Sequence, residues 1–439
     1  MSGFLQKRYP VPDFWYGVLV GLLILLPFMR IRIDYQFVEL SGALQFIVFV
    51  AGFVGLTLAT TIKISSLKTV LLERATVLLG LWCIYACASV FWSEYPLLTL
   101  KRSILAIFPA VMLYLAAALV DKPETVVKGF VLGLSGITTI CVVYAVIGLF
   151  ADLWNTYPAR RGTIYLFGLE FSQTLGQRLF LIDGELVKLQ RFSGFFPNPN
   201  GLGMVAAICM LLLAGIRQDA PKACRVLFAL MLVGVILSGS RSAVLILVSG
   251  FLYLFLSRVA NYRFLVAVMV IAALLIPSVI VMMKGDLLQL SILPAWVFEQ
   301  ESLIASIRGP FLLEASQAAL GNWAFGGGFG VGAEVSFGAS AGQMAVHSVF
   351  MNAVIETGVV GLTLLVAMWI SFILVGSRQL NGNSRIDKVM GCISVTLVAL
   401  FVAQSVDLSV TRFHYIHLIF FFMVGLLFSF QRTELEKRI

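Results

Sequence analysis

Charge is scarce in this sequence. Asp, Glu, Lys and Arg make up 12% of its 439 residues, whereas 60% are hydrophobic, and the mean hydropathy is +0.98. A soluble domain of this size could not cover itself with so little polar surface, so folds built for solution are excluded. Histidine is rarer still, at three residues. The six cysteines, Cys83, Cys87, Cys141, Cys209, Cys224 and Cys392, all lie in hydrophobic runs or at one edge of them, a placement that argues against a disulfide framework or a zinc site and for packing. A leader cleavage site is also missing: the first apolar run, Phe14 to Phe28, has no small-residue motif after it and meets Arg30 and Arg32 instead, so it reads as a retained helix. The glycine run GGGFGVG, residues 326 to 332, lacks G-x-G-x-x-G spacing and follows no strand, so it reads as a flexible turn and not as a dinucleotide fingerprint.

What the chain does have is apolar runs near 20 residues, the length with which an α-helix crosses ~30 Å of hydrocarbon while satisfying its own backbone. Spans are expected at about 14–29, 37–61, 75–92, 103–120, 129–151, 195–216, 225–238, 242–257, 264–283, 347–376, 389–406 and 413–431. The fold class is therefore an all-α polytopic membrane protein with about 12 transmembrane helices, a single integral membrane domain over 1–439. Eighteen of the 31 basic residues and 8 of the 22 acidic ones fall on the side of the termini, against 13 and 14 on the other face. By the positive-inside rule both termini are cytoplasmic. The net charge of +9 is then a product of topology and calls for no nucleic-acid partner.

Two long segments lie on the outer face, 152–194 and 284–346. The second, between spans 9 and 10, carries Trp296, Phe311, Leu312 and Trp323, apolar surface to pack with that favours amphipathic helices over a disordered loop. The first ends in LQRFSGFFPNPNGLG, where Pro197 and Pro199 remove amide donors and force an irregular start to the sixth span. Broken backbone at membrane depth survives where protein or a wet cavity surrounds it, which turns Arg191, Asn198 and Asn200 toward a polar cavity. The hairpin LSGSRSAVL is so short that Arg241, beside Ser240, must sit near the outer surface, either snorkelling to the interface or facing the protein interior. Trp92 and Tyr95 in the outer link 91–103 are interface anchors, and Lys101 and Arg102 either share that role or meet lipid phosphates. Gly17, Gly21, Gly129 and Gly133 form small-xxx-small pairs for close helix approach.

Arg191, Arg241, Arg308 and His347 come from four separate stretches, and this topology puts all four on the outer face. Guanidinium groups keep their charge and offer paired donors, so several together point to a phosphorylated or carboxylated ligand. A neutral histidine among them, with an unperturbed pKa near ~6.5, can take a proton from a hydroxyl. Asp183 and Glu185 have the D-x-E form of a divalent-ion pair, yet the spacing also suits an ordinary hairpin, and arginines can neutralise a diphosphate without metal. His414 and His417, at the start of the last span, suit helix-end hydrogen bonds.

RFSGFFPNPNGLG, the SGSRSA hairpin, and the loop that ends in GGGFGVG and AVHSVFMNAVIETGVVGL resemble the O-antigen ligase and polymerase superfamily of bacterial envelope glycosyltransferases over about residues 190–365. Ser348 departs from the pattern, since many members carry Asn after the histidine. The resemblance implies a GT-C-like frame in the bacterial inner membrane with its active site facing the periplasm. It implies a donor glycan on undecaprenyl diphosphate, held by Arg191, Arg241 and Arg308 with Asn198, Asn200 and Ser240 in support. It further implies a lipid A-core acceptor activated by His347, with no metal and no cofactor. Membrane lipids are the surroundings. A polymerase extending lipid-linked repeats would use the same donor site. A twelve-helix secondary transporter fits less well, because the spans carry almost no charge at mid-depth and the loop TIKISSLKTVLLER lacks the G-x-x-x-D-R-x-G-R signature.

Overall fold

The computed structural model describes residues 12–33, 36–60, 63–154, 163–167, 169–182, 185–218, 221–258, 261–284, 320–337, 348–377, 384–405 and 414–436. Helices dominate: α1 (Asp13–Leu25), α2 (Gly42–Leu58), α3 (Leu67–Leu72), α4 (Arg74–Ala88), α5 (Pro96–Ala118), α6 (Pro123–Trp154), α7 (Pro199–Ile216), α8 (Pro221–Ser238), α9 (Arg241–Leu256) and α10 (Tyr262–Lys284). They are followed by α11 (Gly332–Phe337), α12 (Val349–Ser377), α13 (Arg385–Ala403) and α14 (Tyr415–Glu436). Among the described residues eight helices are long and apolar enough to cross a membrane, and four shorter apolar helices stand at 13–28, 42–58, 241–256 and 262–275. The chain is a mostly helical, multi-pass membrane protein.

Helix starts follow local chemistry. Prolines open α5, α6, α7 and α8, where a missing amide costs nothing. Ser41, Asn198 and Ser240 cap α2, α7 and α9 by accepting from Leu44, Gly201 and Ala243 amides. Ser384 and Asp387 make a capping box on α13. The sixth span accordingly begins at Pro199, four residues later than the apolar run alone suggests, because the backbone from Gly194 to Asn198 is spent on turns.

The bundle has a centre and a rim. The membrane windows of α7 and α14 are each 89% buried inside the protein, whereas that of α8 is 28% buried, so α7 and α14 form the core and α8 turns most of its surface outward. Close helix approach uses glycine as the sequence suggested. A Cβ added to Gly21 would stand 2.9 Å from the Phe130 carbonyl oxygen and 3.0 Å from the Leu134 amide nitrogen, so α1 and α6 meet backbone to backbone.

Strands also occur, and the helical reading of the sequence missed them. β1 (Arg30–Ile33), β2 (Gln36–Glu39), β3 (Thr163–Leu166) and β4 (Leu169–Ser172) form one antiparallel sheet in the order β2-β1-β4-β3. β5 (Leu175–Ile182) and β6 (Glu185–Phe192) form a separate hairpin with Gly176 opposite Arg191. The pairing of Arg32 with Ser172 ties the link after α1 to the segment before α7, a contact of long sequence separation that no local pattern announces.

Candidate functional site

Arg191 stands at the end of β6, with the starts of α7 and α9 beside it. Its Nε donates to the Ser238 carbonyl at 2.7 Å, and its Nη2 donates to the Asn200 side-chain oxygen. Asn200 lies in the first turn of α7, and Ser238 closes α8 just before the hairpin that opens α9. One guanidinium therefore bridges two elements far apart in the chain. The first turns of α7 and α9 also touch, since a Cβ on Gly203 would come within 2.7 Å of Ser240 Cβ and 3.1 Å of Ala243 Cβ. Two helix N-termini thus lie side by side, and each aims the positive end of its peptide dipoles at the same place.

The electrostatics favour an anion there. Burial, and after it the nearby charge of Arg241, hold the Arg191 guanidinium below its usual pKa. Arg241 is exposed at the first position of α9, where a cation opposes the helix dipole. Among the described residues no carboxylate forms an ion pair with either arginine. Two like charges at helix starts without a counter-ion are stabilised by a bound polyanion, and a diphosphate meets the paired-donor geometry of arginine.

A third arginine belongs to this corner, one the sequence reading passed over as a flank of the first span. The Arg30 amide donates to the Phe195 carbonyl at 2.8 Å. Its Nη2 donates to the Pro197 carbonyl and, at 3.0 Å, to Thr174 Oγ1. Behind it, Phe195 stacks on Tyr144 with ring centroids 4.3 Å apart, and the Gly194 amide donates to Gln173 Oε1 at 2.8 Å. Arg30 therefore fixes the FFPNPN turn that presents Asn198 and Asn200. The alternation in RIRI was the available signal, and it pairs with the nearby β2, but the strand β4 that ties it to this corner is more than 130 residues away.

The glycine run is no flexible turn. Residues 326–333 are buried and fill a break in α12 at Gly358, whose φ of 65° and ψ of −171° interrupt the helix. Carbonyls freed by that break are taken up from the loop: Gly327 donates to Ile355 and Gly328 to Glu356, both at 2.8 Å. In return the Val359 amide donates to the Trp323 carbonyl at 2.8 Å. Tyr85 donates to the Thr357 carbonyl at 3.1 Å and Trp92 to the Phe325 carbonyl at 3.1 Å. All of these bonds except that of Tyr85 would be lost if the loop swung free, which explains its order.

Around that break the polar side chains form a second cluster. Ser348 just before α12 and Asn352 and Glu356 within it repeat at four-residue spacing and are 3%, 1% and 2% exposed, so one face here is polar inside the protein. Glu356 Oε1 accepts the Gly332 amide at 3.1 Å. The side-chain nitrogen and oxygen of Asn352 have no hydrogen-bond partner among the described residues. Arg102 reaches Glu334 with two bonds of 2.7 Å and also holds the Gly330 carbonyl. This corrects the lipid-phosphate alternative for Arg102, which is engaged within the protein.

His347 and Arg308 lie outside the described residues, as does Asp183, so the structure brings together Arg191 and Arg241 of the four expected residues and leaves the other two open. The chain resumes at Ser348, where the Val349 amide donates to the Gln404 carbonyl at 2.9 Å and the Met351 amide to Ser348 Oγ at 3.4 Å. The segment just after His347 is thus anchored to the end of α13. His414 serves a helix start, as the sequence suggested, its Nδ1 accepting the Ile416 amide at 3.3 Å, whereas His417 instead ties α14 to the interior of α5, its Nε2 bonding the Ala106 carbonyl at 2.8 Å.

The fold is that of a multi-pass helical membrane protein, and among the described residues two arginines without an ion-pair partner stand at adjacent helix starts. Residues 226–366 match a family model described as O-antigen ligase, and in this segment the chain is similar to the O-antigen ligase/polymerase superfamily. The match covers about a third of the chain. It includes Ser240, Arg241, Arg308 and His347, whereas Arg191, Asn198 and Asn200 precede it. Comparison with curated proteins returns no match.

Proposed function

We propose that the protein is an O-antigen ligase of the bacterial inner membrane. It transfers a glycan from undecaprenyl diphosphate to a sugar hydroxyl of lipid A-core on the periplasmic side of twelve membrane spans, with both termini cytoplasmic. The observation that carries this reading is the meeting of Arg191 and Arg241 at two adjacent helix starts without a carboxylate partner among the described residues. Such a corner supplies charge-assisted donors where negative charge grows as the glycosyl bond breaks.

In the proposed reaction the acceptor oxygen attacks the anomeric carbon from the face opposite the diphosphate, through an oxocarbenium-like state. The bond from that carbon to the phosphate oxygen breaks, and its electron pair leaves with undecaprenyl diphosphate. Arg191, Arg241 and Arg308 bind that leaving group, while His347 accepts the proton of the acceptor hydroxyl. The product is inverted at the anomeric carbon, and no metal takes part. Asn198 and Ser240 hold the starts of α7 and α9 in place through their caps, and Asn200 orients Arg191.

Purified protein given undecaprenyl-diphosphate glycan, with lipid A-core or with donor alone, tests this directly. Glycan on lipid A-core, formed equally in EDTA, is the expected product. Longer lipid-linked glycan made from donor alone would identify a polymerase of the same superfamily, and no product in either mixture would remove the transferase reading.

A further inference from the structure

At the opposite end of the bundle from Arg191 lies a cavity of about 770 Å³, lined by residues of α3, α4, α12 and α14. Its size falls within the ~300–1,000 Å³ typical of small-ligand sites. Its lining is divided. Lys68, Glu73 and Arg74 form a charged mouth, and Leu374 and Phe428 form an apolar wall. Their formal charges leave one net positive. Gln431, also in the lining, has its side-chain oxygen buried with no hydrogen-bond partner among the described residues. No side chain caps the start of α4 at Glu73, so that helix offers first-turn amides on the same side. The neighbouring α3 exposes Leu71 and Leu72 at 47% and 69%, the pattern of a short helix lying in a membrane surface.

These features ask for one kind of ligand: an anionic head with a hydroxyl donor, joined to apolar chains. We propose that the cavity binds a phosphatidylglycerol molecule. Its phosphate sits between Lys68 and Arg74, a glycerol hydroxyl donates to the Gln431 oxygen, and the acyl chains leave along Leu374 and Phe428. The single net positive charge matches one phosphodiester. A zwitterionic head would leave that charge unanswered, and a choline head has no donor for Gln431. This site is separate from the glycan-transfer corner and does not depend on the reaction proposed for it.

Native mass spectrometry of the full-length protein in detergent tests this, with phosphatidylglycerol, phosphatidylethanolamine, phosphatidylcholine and inorganic phosphate added in turn. The expected result is a one-to-one phosphatidylglycerol adduct that survives where the other two lipids are lost. The Lys68→Gln/Arg74→Gln variant should retain about tenfold less, since each tenfold corresponds to ~1.4 kcal/mol and two charged contacts are removed. Ser371→Trp, which fills the cavity and leaves both cations, should also displace the lipid and decides the matter if the charge variant does not fold. Equal retention of all three lipids, or unchanged retention in the variants, overturns the proposal. Preference for phosphatidylethanolamine overturns the anionic assignment, and displacement of the lipid by inorganic phosphate at matching concentration shows a free-phosphate site instead.

Discussion

Arg191 holds the Asn200 side chain with one nitrogen and the Ser238 carbonyl with another. A side chain at the end of a β-hairpin thereby fixes the spacing between the starts of α7 and α9. The same two bonds leave Arg191 charged, half-buried and beside Arg241. The corner is organised before any ligand arrives, which is what stabilisation of developing charge requires.

Substitution at Arg191 should separate charge from geometry. Arg191→Ala is expected to lower glycan transfer by about 10²-fold, the usual effect of removing one preorganised donor. Arg191→Lys should recover only part of it, because an ammonium keeps the charge and cannot span both Ser238 and Asn200. Turnover and donor affinity measured side by side check this, and wild-type values in Arg191→Ala would exclude the residue from the donor site.

Asn200 offers a sharper test of the anion reading. Asn200→Asp keeps the shape of the side chain but places a carboxylate against Arg191, cancelling charge where the diphosphate is proposed to bind. Donor affinity should drop about tenfold further than in Asn200→Ala, given that ~1.4 kcal/mol is a factor of ten. If the two variants bind donor alike, no anion occupies the corner.

For His347 the expectation is a split between binding and chemistry. His347→Ala should abolish transfer and leave retention of the undecaprenyl-diphosphate donor intact, because a base acting on the acceptor contributes nothing to holding the donor. Retained turnover would assign the proton transfer to another group.

Gly358→Ala should destabilise the protein by about 1–3 kcal/mol, since a φ of 65° with a ψ of −171° is a region that only glycine occupies comfortably. A Cβ there would also stand 2.5 Å from the Phe325 amide nitrogen, pressing on the loop that fills the helix break. Thermal unfolding in detergent measures the loss, and an unchanged midpoint would show that the break tolerates repair.

The Arg102 and Glu334 pair, 32% and 17% exposed at its side chains, is partly screened, and its coupling should be near ~1 kcal/mol in a double-mutant cycle. Thermal midpoints of Arg102→Ala, Glu334→Ala and the double variant give the value. A coupling indistinguishable from zero would mean that backbone bonds alone hold the glycine loop.

Much of the architecture was legible because it is written in short-range terms. Hydrophobic length marks a span wherever it occurs, since lipid solvates each run independently of the others. Pro199 and Asn198 mark the start of α7, and Ser240 that of α9, because caps and prolines act within one turn.

Other features needed the fold. RIRI pairs locally with β2 but joins the larger sheet only because Ser172 and Phe171 lie beside it, and Arg30 gains its role only because Pro197 comes within reach. GGGFGVG looked loose in isolation because glycines do relax a free chain. Packed into the gap at Gly358, the same residues hold the backbone through a set of exchanged amides. The sequence by itself determined which runs are apolar and long enough to enter lipid as helices, since each run answers to its solvent alone. Only the tertiary structure decided which arginines meet and which loop closes the broken helix, because contacts between distant segments depend on how every helix packs at once.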